Sequence, residues 1–428
     1  MVTSQLLRAK KGLDVAIIEP SEEHHYQPAW TLVGAGLMKK SDTIRPEKKQ
    51  IPSKAKWIKE YVEDIDPDAM EVKLRNGNTI SYEYLIVAPG IQINLDGIEG
   101  LKDAVGKNDV CSNYIDPDYT WETIQKFKGG VALFTQPITP IKCPGAPQKI
   151  MYLASDYFNK NKVPDTHVAF VTPGTVVFGT EPFKTELQHW MHKYNISRRY
   201  GYKLIKIDGE KKEAHYERLE LPNGRKDHVE NDERNAAGCV GFVWENGVRH
   251  IVEEENNHVS ELKDGTHFVI KYDMIHLAPP QSAPTWFQKT KLAHQEGVNK
   301  GWMAVDKHTL QSKNYKNVFG AGDVTDLPTA RTGAAIRKQA PTIVKNLLKI
   351  MDGKVADYEG YDGYSSCPLV VSHNRMLLAE FKYENVRSSD PLLSKFVDTG
   401  KASYSMWLMK RYGLPFLYWN AMMKGYQF

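Results

Sequence analysis

The stretch Asp14-Val15-Ala16-Ile17-Ile18-Glu19 decides the fold class of this 428-residue chain. It is a near-continuous apolar run that ends in an acid, a pattern typical of a buried strand in a parallel sheet. The basic residues 2–11 before it could be a targeting segment, but they lack an apolar core and a cleavage site, which favours a helix. A helix, Gly12, a strand and an acid match the second half of a dinucleotide-binding βαβ unit, whose acid bonds the adenosine ribose.

The first strand of such a unit, with its Gly-x-Gly-x-x-Gly turn, should precede Val2, and the chain begins without it. Strands left unpaired would cost on the order of 1–3 kcal/mol for each buried backbone group without a partner. We therefore expect a truncated form of a longer protein, in which an upstream segment of about 30 residues supplies the strand and the turn. As written, the chain should bind the dinucleotide poorly.

Two further stretches belong to the same predicted domain. Strand 84–90 follows a hairpin with a turn at residues 76–78, and it closes on Gly90, where a ligand can approach the backbone. The strand 317–320 runs into Gly322-Asp323 and then into residues 327–335. Asp323 can accept ribityl or ribose hydroxyls, and the next helix N-terminus can direct N–H groups at the electron-rich N1/O2 edge of a flavin.

A second α/β domain is predicted from about residue 129 to residue 295. Its strands are 129–134, 168–171 and 274–277, while residues 225–265 are polar and acidic and indicate a surface insertion. A nicotinamide-binding domain would carry a glycine-rich turn after the first of these strands. Residues 135–140 (Thr-Gln-Pro-Ile-Thr-Pro) contain no glycine and lead to a cysteine instead.

That cysteine, Cys143, stands in Pro140-Ile141-Lys142-Cys143-Pro144-Gly145-Ala146-Pro147-Gln148-Lys149. From Ile150 onward the apolar residues have helical spacing, so Cys143 lies just before a helix N-terminus. That end, together with Lys142 and Lys149, should favour the thiolate. A second Cys-Pro pair is Cys367-Pro368. The alternative for either cysteine is a buried, inert thiol.

Composition excludes several classes of protein. The net charge of +4 comes from scattered Lys and Arg residues, so nucleic-acid binding is not indicated. The four cysteines form no Cys-x-x-Cys or zinc spacing, which indicates a reducing compartment and no metal site. No run of about 18 apolar residues exists, so a spanning helix is excluded. A lipid-facing surface remains possible.

The C-terminal residues 404–424 are rich in aromatic side chains and methionine, contain lysines and lack acids. Such a composition suits an amphipathic segment at a membrane interface, although a buried helix pair is the equal alternative. On the first interpretation, one apolar surface near a channel to the cofactor should present four side chains: Trp407, Phe416, Leu417 and Trp419.

Several longer strings are specific to one family. They span residues 25–36, 142–149, 364–369 and 415–420, of which the second reads Lys-Cys-Pro-Gly-Ala-Pro-Gln-Lys. Through them the chain resembles the sulfide:quinone oxidoreductases, in particular the mitochondrial eukaryotic type, along nearly its whole length. The resemblance implies two Rossmann-like domains. FAD would bind the discontinuous first domain, residues 1–110 and 296–360, the second would span 111–295, and 361–428 would form a membrane-associated quinone region.

The resemblance also implies the site residues. Cys143 and Cys367 would be a redox pair with Cα atoms within about 7 Å, as a disulfide requires. Six residues would lie around FAD: Glu19, Gln27, Val62, Gly90, Asp323 and Arg331. Cys111 and Cys239 match no family cysteine, so no role is expected for them.

The implied activity is oxidation of hydrogen sulfide at the inner mitochondrial membrane. Hydrosulfide attacks the disulfide, and a persulfide forms on one cysteine. The sulfur then passes to sulfite, glutathione or a second sulfide, while the electrons pass through FAD to ubiquinone. One alternative is an NAD(P)H-dependent quinone or disulfide reductase, which would need a second glycine turn. Another is a non-catalytic paralogue that has lost its flavin.

Overall fold

The computed structural model of the chain describes residues 1–219, 243–245, 248–250, 259–261 and 267–427. Most of the predicted insertion at 225–265, and Cys239 with it, lies outside the described residues. The architecture is mixed α/β, with one group of sheets near each end of the chain and a parallel sheet between them.

The first part of the chain has nine short strands and three helices. In chain order they are α1 (Val2–Ala9), β1 (Ala16–Ile18), β2 (Glu23–His25), α2 (Trp30–Val33), β3 (Ile44–Pro46), β4 (Lys56–Ile58), β5 (Val62–Asp66), β6 (Glu71–Leu74), β7 (Thr79–Ser81), β8 (Leu85–Val87), β9 (Gln92–Ile93) and α3 (Leu101–Ala104). The predicted helix and strand before Glu19 are therefore α1 and β1. Strand β1 is parallel to β4, as a βαβ unit requires, but it is half-buried rather than buried, because β4 is its one partner among the described strands.

The middle part contains the predicted parallel sheet. Its elements are β10 (Val110–Cys111), α4 (Pro117–Lys126), β11 (Gly130–Thr135), α5 (Ala146–Lys160), β12 (Thr166–Thr172), α6 (Phe183–Lys193), β13 (Ser197–Tyr200), β14 (Tyr202–Asp208), β15 (Glu213–Arg218), β16 (Val243–Glu245), β17 (Val248–His250), β18 (Val259–Glu261), β19 (His267–Lys271), β20 (Met274–Leu277), β21 (Gln281–Ser282) and α7 (Thr285–Gln288). The parallel sheet has the order β10-β20-β11-β12-β13. This confirms that the three predicted strands, now β11, β12 and β20, share one layer.

The last part contributes a strand that pairs with β8 and then adds a hairpin and a C-terminal helical segment. Its elements are β22 (Val318–Gly320), α8 (Ile336–Met351), β23 (Ser365–Ser372), β24 (Arg375–Phe381), α9 (Tyr404–Leu408) and α10 (Leu414–Leu417). Strand β22 is parallel to β8, so the two predicted cofactor strands lie side by side although more than 200 residues separate them. π-helical turns follow both α9 and α10.

Packing places the cysteine-bearing elements in one core. Helix α5 and the β23–β24 hairpin share a hydrophobic cluster that contains Ile150, Leu153, Cys367, Leu369 and Met406. The apolar residues that predicted α5 from their spacing are therefore the ones that bury against β23. None of the helices among the described residues is long and apolar enough to cross a membrane.

Candidate active site

The Cys143 loop connects β11 to α5 and is held by neighbours from both halves of the chain. The backbone N–H of Cys143 donates to the carbonyl oxygen of Arg331 at 2.7 Å, and that of Lys142 donates to Gln281 Oε1 at 2.7 Å. The hydroxyl of Tyr114 lies 2.9 Å from the Lys142 carbonyl oxygen and 3.2 Å from that of Cys143. Cys143 itself has a φ of +50°, a strained conformation for a non-glycine residue, of the kind that clusters at functional sites.

The second cysteine lies against this loop, because Cys367 on β23 faces the start of α5. A Cβ atom at position 145 would stand 2.5 Å from Cys367 Sγ, so only glycine leaves room for the sulfur there. The Cys367 thiol is buried and hydrogen-bonds to Cys143, which is partly exposed. Both cysteines are free thiols. The structure thus brings together the two cysteines that the sequence singled out.

The two sulfurs are electrostatically unequal. The hydrogen bond from Cys367 holds the pKa of Cys143 well below its usual range, and the Lys149 ammonium, 3.1 Å from Cys143 Sγ, reinforces this against the opposing effect of burial. The same thiol–thiol bond, together with burial, raises the pKa of Cys367. Lys149 is itself buried; burial favours its neutral form, but attraction to the two sulfurs raises its pKa. Cys143 is therefore the thiolate of the pair.

A second buried ammonium, that of Lys410, was missed by the sequence reasoning. Lys410 is 1% exposed and donates to the carbonyl oxygen of Pro28 at 2.6 Å. Burial, with repulsion from Lys149, lowers its pKa to about 7, while attraction to the two cysteines acts in the opposite direction. The sequence signal was weak, because Lys410 stands beside Arg411 in a stretch rich in aromatic and methionine side chains.

Lys142 does not join Lys149 at the thiolate. Its ammonium lies 3.9 Å from the carboxylate of Asp323, so the prediction that both flanking lysines serve the sulfur holds for Lys149 alone. Arg331 donates through Nε to the Asp323 carbonyl oxygen at 2.8 Å, and its guanidinium stacks 4.0 Å from the Trp302 ring centre. Asp323 and Arg331 are thus linked directly to the cysteine loop.

Asp323 has the properties of a ligand acceptor. Its buried carboxylate accepts no hydrogen bond from the described residues, and burial raises its pKa despite the opposing charges of Lys142 and Arg331. It lines a pocket with Gly322, Arg331, Thr332 and Gln339. Gly90, at the end of the neighbouring β8, has a φ of +75° and open space where a side chain would stand. A hydroxyl-bearing ligand could therefore meet both strands at this edge.

The other predicted cofactor residues lie in the first 62 residues of the chain. Glu19 follows β1 and accepts the Ser21 N–H at 2.8 Å; burial raises the pKa of its carboxyl. Gln27 begins a short turn that leads to Pro28, whose carbonyl binds Lys410. Val62 begins β5 and packs against a hydrophobic cluster that includes Ile65 and Val72.

Cys111 is not part of the site. The Cys111 thiol is fully buried and donates to the Ile275 carbonyl oxygen at 3.4 Å; burial raises its pKa to about 12, which makes it inert. In the described part of the chain, no group of three or more histidine, cysteine or acidic side chains could hold a metal ion.

The C-terminal segment corrects one prediction. Trp419 is 7% exposed and packs against Tyr26 and Ala29, so it is not part of an outer apolar surface, and Trp407 is half-buried against the core that holds Cys367. Between residues 404 and 420 the exposed large apolar side chains recur every fourth residue instead, and they are Tyr404, Leu408, Tyr412 and Phe416. We call these four residues the outer stripe.

Known proteins are similar to this chain in sequence and in architecture. A family model described as pyridine nucleotide-disulphide oxidoreductase matches residues 2–122. The mitochondrial sulfide:quinone oxidoreductase of Mus musculus is 39% identical over 428 residues, which cover 99% of this chain and 84% of the mouse protein. The chain belongs to the mitochondrial sulfide:quinone oxidoreductase family. The Dictyostelium discoideum family member is 36% identical over 99% of this chain and 83% of its own length.

Solved structures agree in fold. The sulfide:quinone oxidoreductase of Aquifex aeolicus superposes with a TM-score of 0.73 at 17% identity and covers 99% of this chain and 89% of its own. A chain in the mitochondrial ATP synthase tetramer of Tetrahymena thermophila gives a TM-score of 0.74 at 18% identity, with coverage of 99% and 93%. At these identities the likeness concerns the fold alone, which is mixed α/β as in the sulfide:quinone oxidoreductase family.

Proposed function

We propose that this family member oxidises sulfide in mitochondria and reduces a quinone, with Cys143 and Cys367 as its redox pair and FAD as its cofactor. The observation that carries the proposal is the contact between the two thiols, one of which is a thiolate stabilised by a buried lysine. Names of relatives supply the substrates, because proteins 32–39% identical to this chain are called mitochondrial sulfide:quinone oxidoreductases. The thiol pair supplies the chemistry.

The residues around Asp323 fit the ribityl and ring end of a flavin. The carboxylate is buried without a hydrogen-bond donor from the described residues, and ribityl hydroxyls are such donors. Gly90 leaves space beside the neighbouring strand, and Arg331 ties this edge to the Cys143 backbone. Glu19, after β1, would accept the adenosine ribose hydroxyls. When bound, a flavin supplies a two-electron acceptor beside the thiols and a donor to quinone.

The unequal sulfurs set the direction of the first step. Hydrosulfide attacks the Cys367 sulfur of the oxidised pair, a new S–S bond forms, and the Cys143–Cys367 bond breaks. Cys143 leaves as the thiolate, because a sulfur of low pKa is the better leaving group. Lys149 places a buried ammonium group 3.1 Å from Cys143 Sγ, which attracts the anionic substrate. The product is a persulfide on Cys367.

The second step removes the outer sulfur. A nucleophilic acceptor such as sulfite, glutathione or a second sulfide attacks the outer sulfur of the persulfide, and the Cys367 sulfur leaves reduced. Both cysteines are then reduced, and the disulfide returns when the pair gives up two electrons and any thiol proton. In sum, one sulfide sulfur is transferred to the acceptor and two electrons go to the quinone.

The outer stripe suits a protein that meets its quinone at the inner mitochondrial membrane. Its four side chains are exposed by 51%, 37%, 61% and 64% along one face of the C-terminal helical segment. The residues from 404 to 427 include no acid, so anionic lipid would not be repelled. A nicotinamide-dependent reductase would need a glycine turn after β11, where this chain has the Cys143 loop.

The test is sulfide-driven bleaching of the flavin in purified protein, followed by intact-mass analysis. Wild type should lose its oxidised-flavin absorbance on addition of sulfide, and Cys143→Ser or Cys367→Ser should reduce the rate at least about a hundredfold, as expected when a nucleophile is removed. Cys111→Ser is the matched control and should keep the wild-type rate. Oxidised Cys143→Ser should gain no persulfide sulfur on Cys367. Bleaching of normal speed in either site variant would refute the relay.

A further inference from the structure

Helix α5, which follows the Cys143 loop, and strand β23, which carries Cys367, run side by side away from the two sulfurs. Helix α5 starts three residues after Cys143, and β23 carries Cys367 near its beginning. The two pack against each other in one hydrophobic cluster. At their far ends a single buried carboxylate, that of Asp156, joins the helix to the turn of the β23–β24 hairpin.

Asp156 receives four donors. Its Oδ2 accepts the backbone N–H of His373 at 2.8 Å, His373 Nδ1 at 2.5 Å and Lys160 Nζ at 2.7 Å. Its Oδ1 lies 3.2 Å from the hydroxyl of Tyr194, which also lies 3.0 Å from the Val371 carbonyl oxygen. The carboxylate is 11% exposed, whereas Lys160 is 54% exposed. Burial opposes ionisation, but the His373 and Lys160 bonds hold the pKa of Asp156 well below its usual range.

The bond to the His373 backbone matters more than the others for the position of the strand. A contact between two side chains tolerates movement of the main chain. The hydrogen bond from the His373 backbone N–H to the Asp156 carboxylate instead fixes the position of the hairpin turn along α5. The helix from Ala146 to Asp156 is about 15 Å long at 1.5 Å per residue. The strand from Cys367 to His373 spans about 20 Å at 3.3 Å per residue. A one-residue slip of β23 would turn Cys367 to the opposite face.

We propose that the Asp156–His373 contact is a remote positioning clamp, which sets the register of the β23–β24 hairpin on α5 and thereby holds Cys367 against Cys143. This inference rests on the proposed function, because it takes the two cysteines as a redox pair. Neither residue touches the sulfurs, so both are positioning residues. The apolar contacts between α5 and β23 supply stability, and the clamp selects one register among the packings that such contacts permit.

The measurement is the redox equilibrium of the Cys143–Cys367 pair in dithiothreitol buffers, read by trapping and mass analysis of the full chain. Asp156→Ala removes the acceptor of the His373 backbone N–H and should lower the effective concentration of the two thiols about tenfold, which raises the reduction potential of the disulfide by about 30 mV. Lys160→Met is the matched control, because it removes an exposed partner of the same carboxylate and should leave the potential unchanged. His373→Ala, which keeps the backbone donor, should produce a smaller shift in the same direction.

Thermal unfolding separates positioning from plain stability. Tyr194→Phe removes one donor to Asp156 but leaves both His373 contacts, so it should lower Tm without changing the potential. Potentials that follow Tm across all the variants would overturn the clamp, and so would an Asp156→Ala potential equal to that of wild type. A wild-type chain that forms no disulfide in any buffer would instead refute the redox pair and the proposed function. If Asp156→Ala does not fold, an unshifted potential in His373→Ala is the overturning result.

Discussion

At the residue scale, the site depends on how two buried ammonium groups share one thiolate. Lys149 keeps its charge, because it stands 3.1 Å from Cys143 Sγ and attraction to the sulfurs raises its pKa against the effect of burial. Lys410 has a pKa near 7, so its charge depends on the state of the sulfurs. A disulfide carries no charge, and without the thiolate Lys410 gives up its proton more easily. Reduction of the pair should therefore draw a proton onto Lys410.

This linkage predicts a pH dependence of the reduction potential. Just below pH 7, Lys410 is protonated beside the reduced pair and deprotonated beside the oxidised pair, so reduction takes up one extra proton. The reduction potential should therefore fall by an additional 30 mV, roughly, for each unit of rising pH, compared with a protein that lacks Lys410. Lys410→Met should remove this extra slope. The measurement is the dithiothreitol equilibrium of the Cys143–Cys367 disulfide at pH 5.5–8, roughly a unit or more on either side of that pKa. Parallel slopes in the two proteins would contradict the linkage.

The sequence predicted the residues whose role shows in a local pattern and missed the one whose role depends on tertiary packing. Cys143 and Lys149 share a loop and the first turn of a helix, and Asp323 ends a strand, so short-range rules identified them. Lys410 lies more than 200 residues from either Cys143 or Lys149 and is buried only because the C-terminal helix docks over Pro28. Lys142 was misassigned for the same reason, since Asp323 becomes its neighbour only in the fold.

At the element scale, the outer stripe follows from the turn types of the C-terminal helix. In a regular α-helix, residues four apart drift around the axis, because each turn holds 3.6 residues. Here π-helical turns at Met409–Gly413 and Tyr418–Met422 alternate with α9 and α10, and their i→i+5 bonds hold more residues per turn. The average comes close to four, which keeps the four stripe residues on one face. The sequence analysis placed Trp419 on the outer surface, whereas in the structure it packs against Tyr26 and Ala29.

The stripe gives a prediction about membrane binding. Leu408→Ser together with Phe416→Ser should weaken flotation with vesicles of anionic lipid at least about tenfold, because two apolar side chains lose their burial in the interface. The control is Val298→Ser, which alters a fully exposed apolar residue away from the C-terminal segment. Equal flotation of the double variant and wild type would show that another surface binds lipid.

At the whole-molecule scale, the site is assembled from segments distant in the chain, which explains what the sequence could predict of it. Periodicity identified β8, β11, β12, β20 and α5, because each element buries a regular apolar face. The contacts between elements, such as the Cys143 N–H on the Arg331 carbonyl, have no local signal. The resemblance to a family supplied the pairing of Cys143 with Cys367, and the structure supplied the Gly145 contact that makes it sterically possible.

Binding of FAD should stabilise the whole molecule, and the size of this stabilisation should depend on Asp323. A ligand that binds only the folded state at a hundred times its Kd adds about 2.7 kcal/mol to the free energy of unfolding, so FAD should raise Tm. Asp323→Asn exchanges a charged acceptor for a neutral one, which weakens hydrogen bonds to hydroxyls and should raise the Kd for FAD about tenfold. The control is Asp362→Asn, because Asp362 is a half-exposed carboxylate that pairs with Lys382. FAD should raise the Tm of this variant as much as that of wild type. The measurement is Tm against FAD concentration in the three proteins, and identical curves for Asp323→Asn and wild type would remove Asp323 from the flavin site.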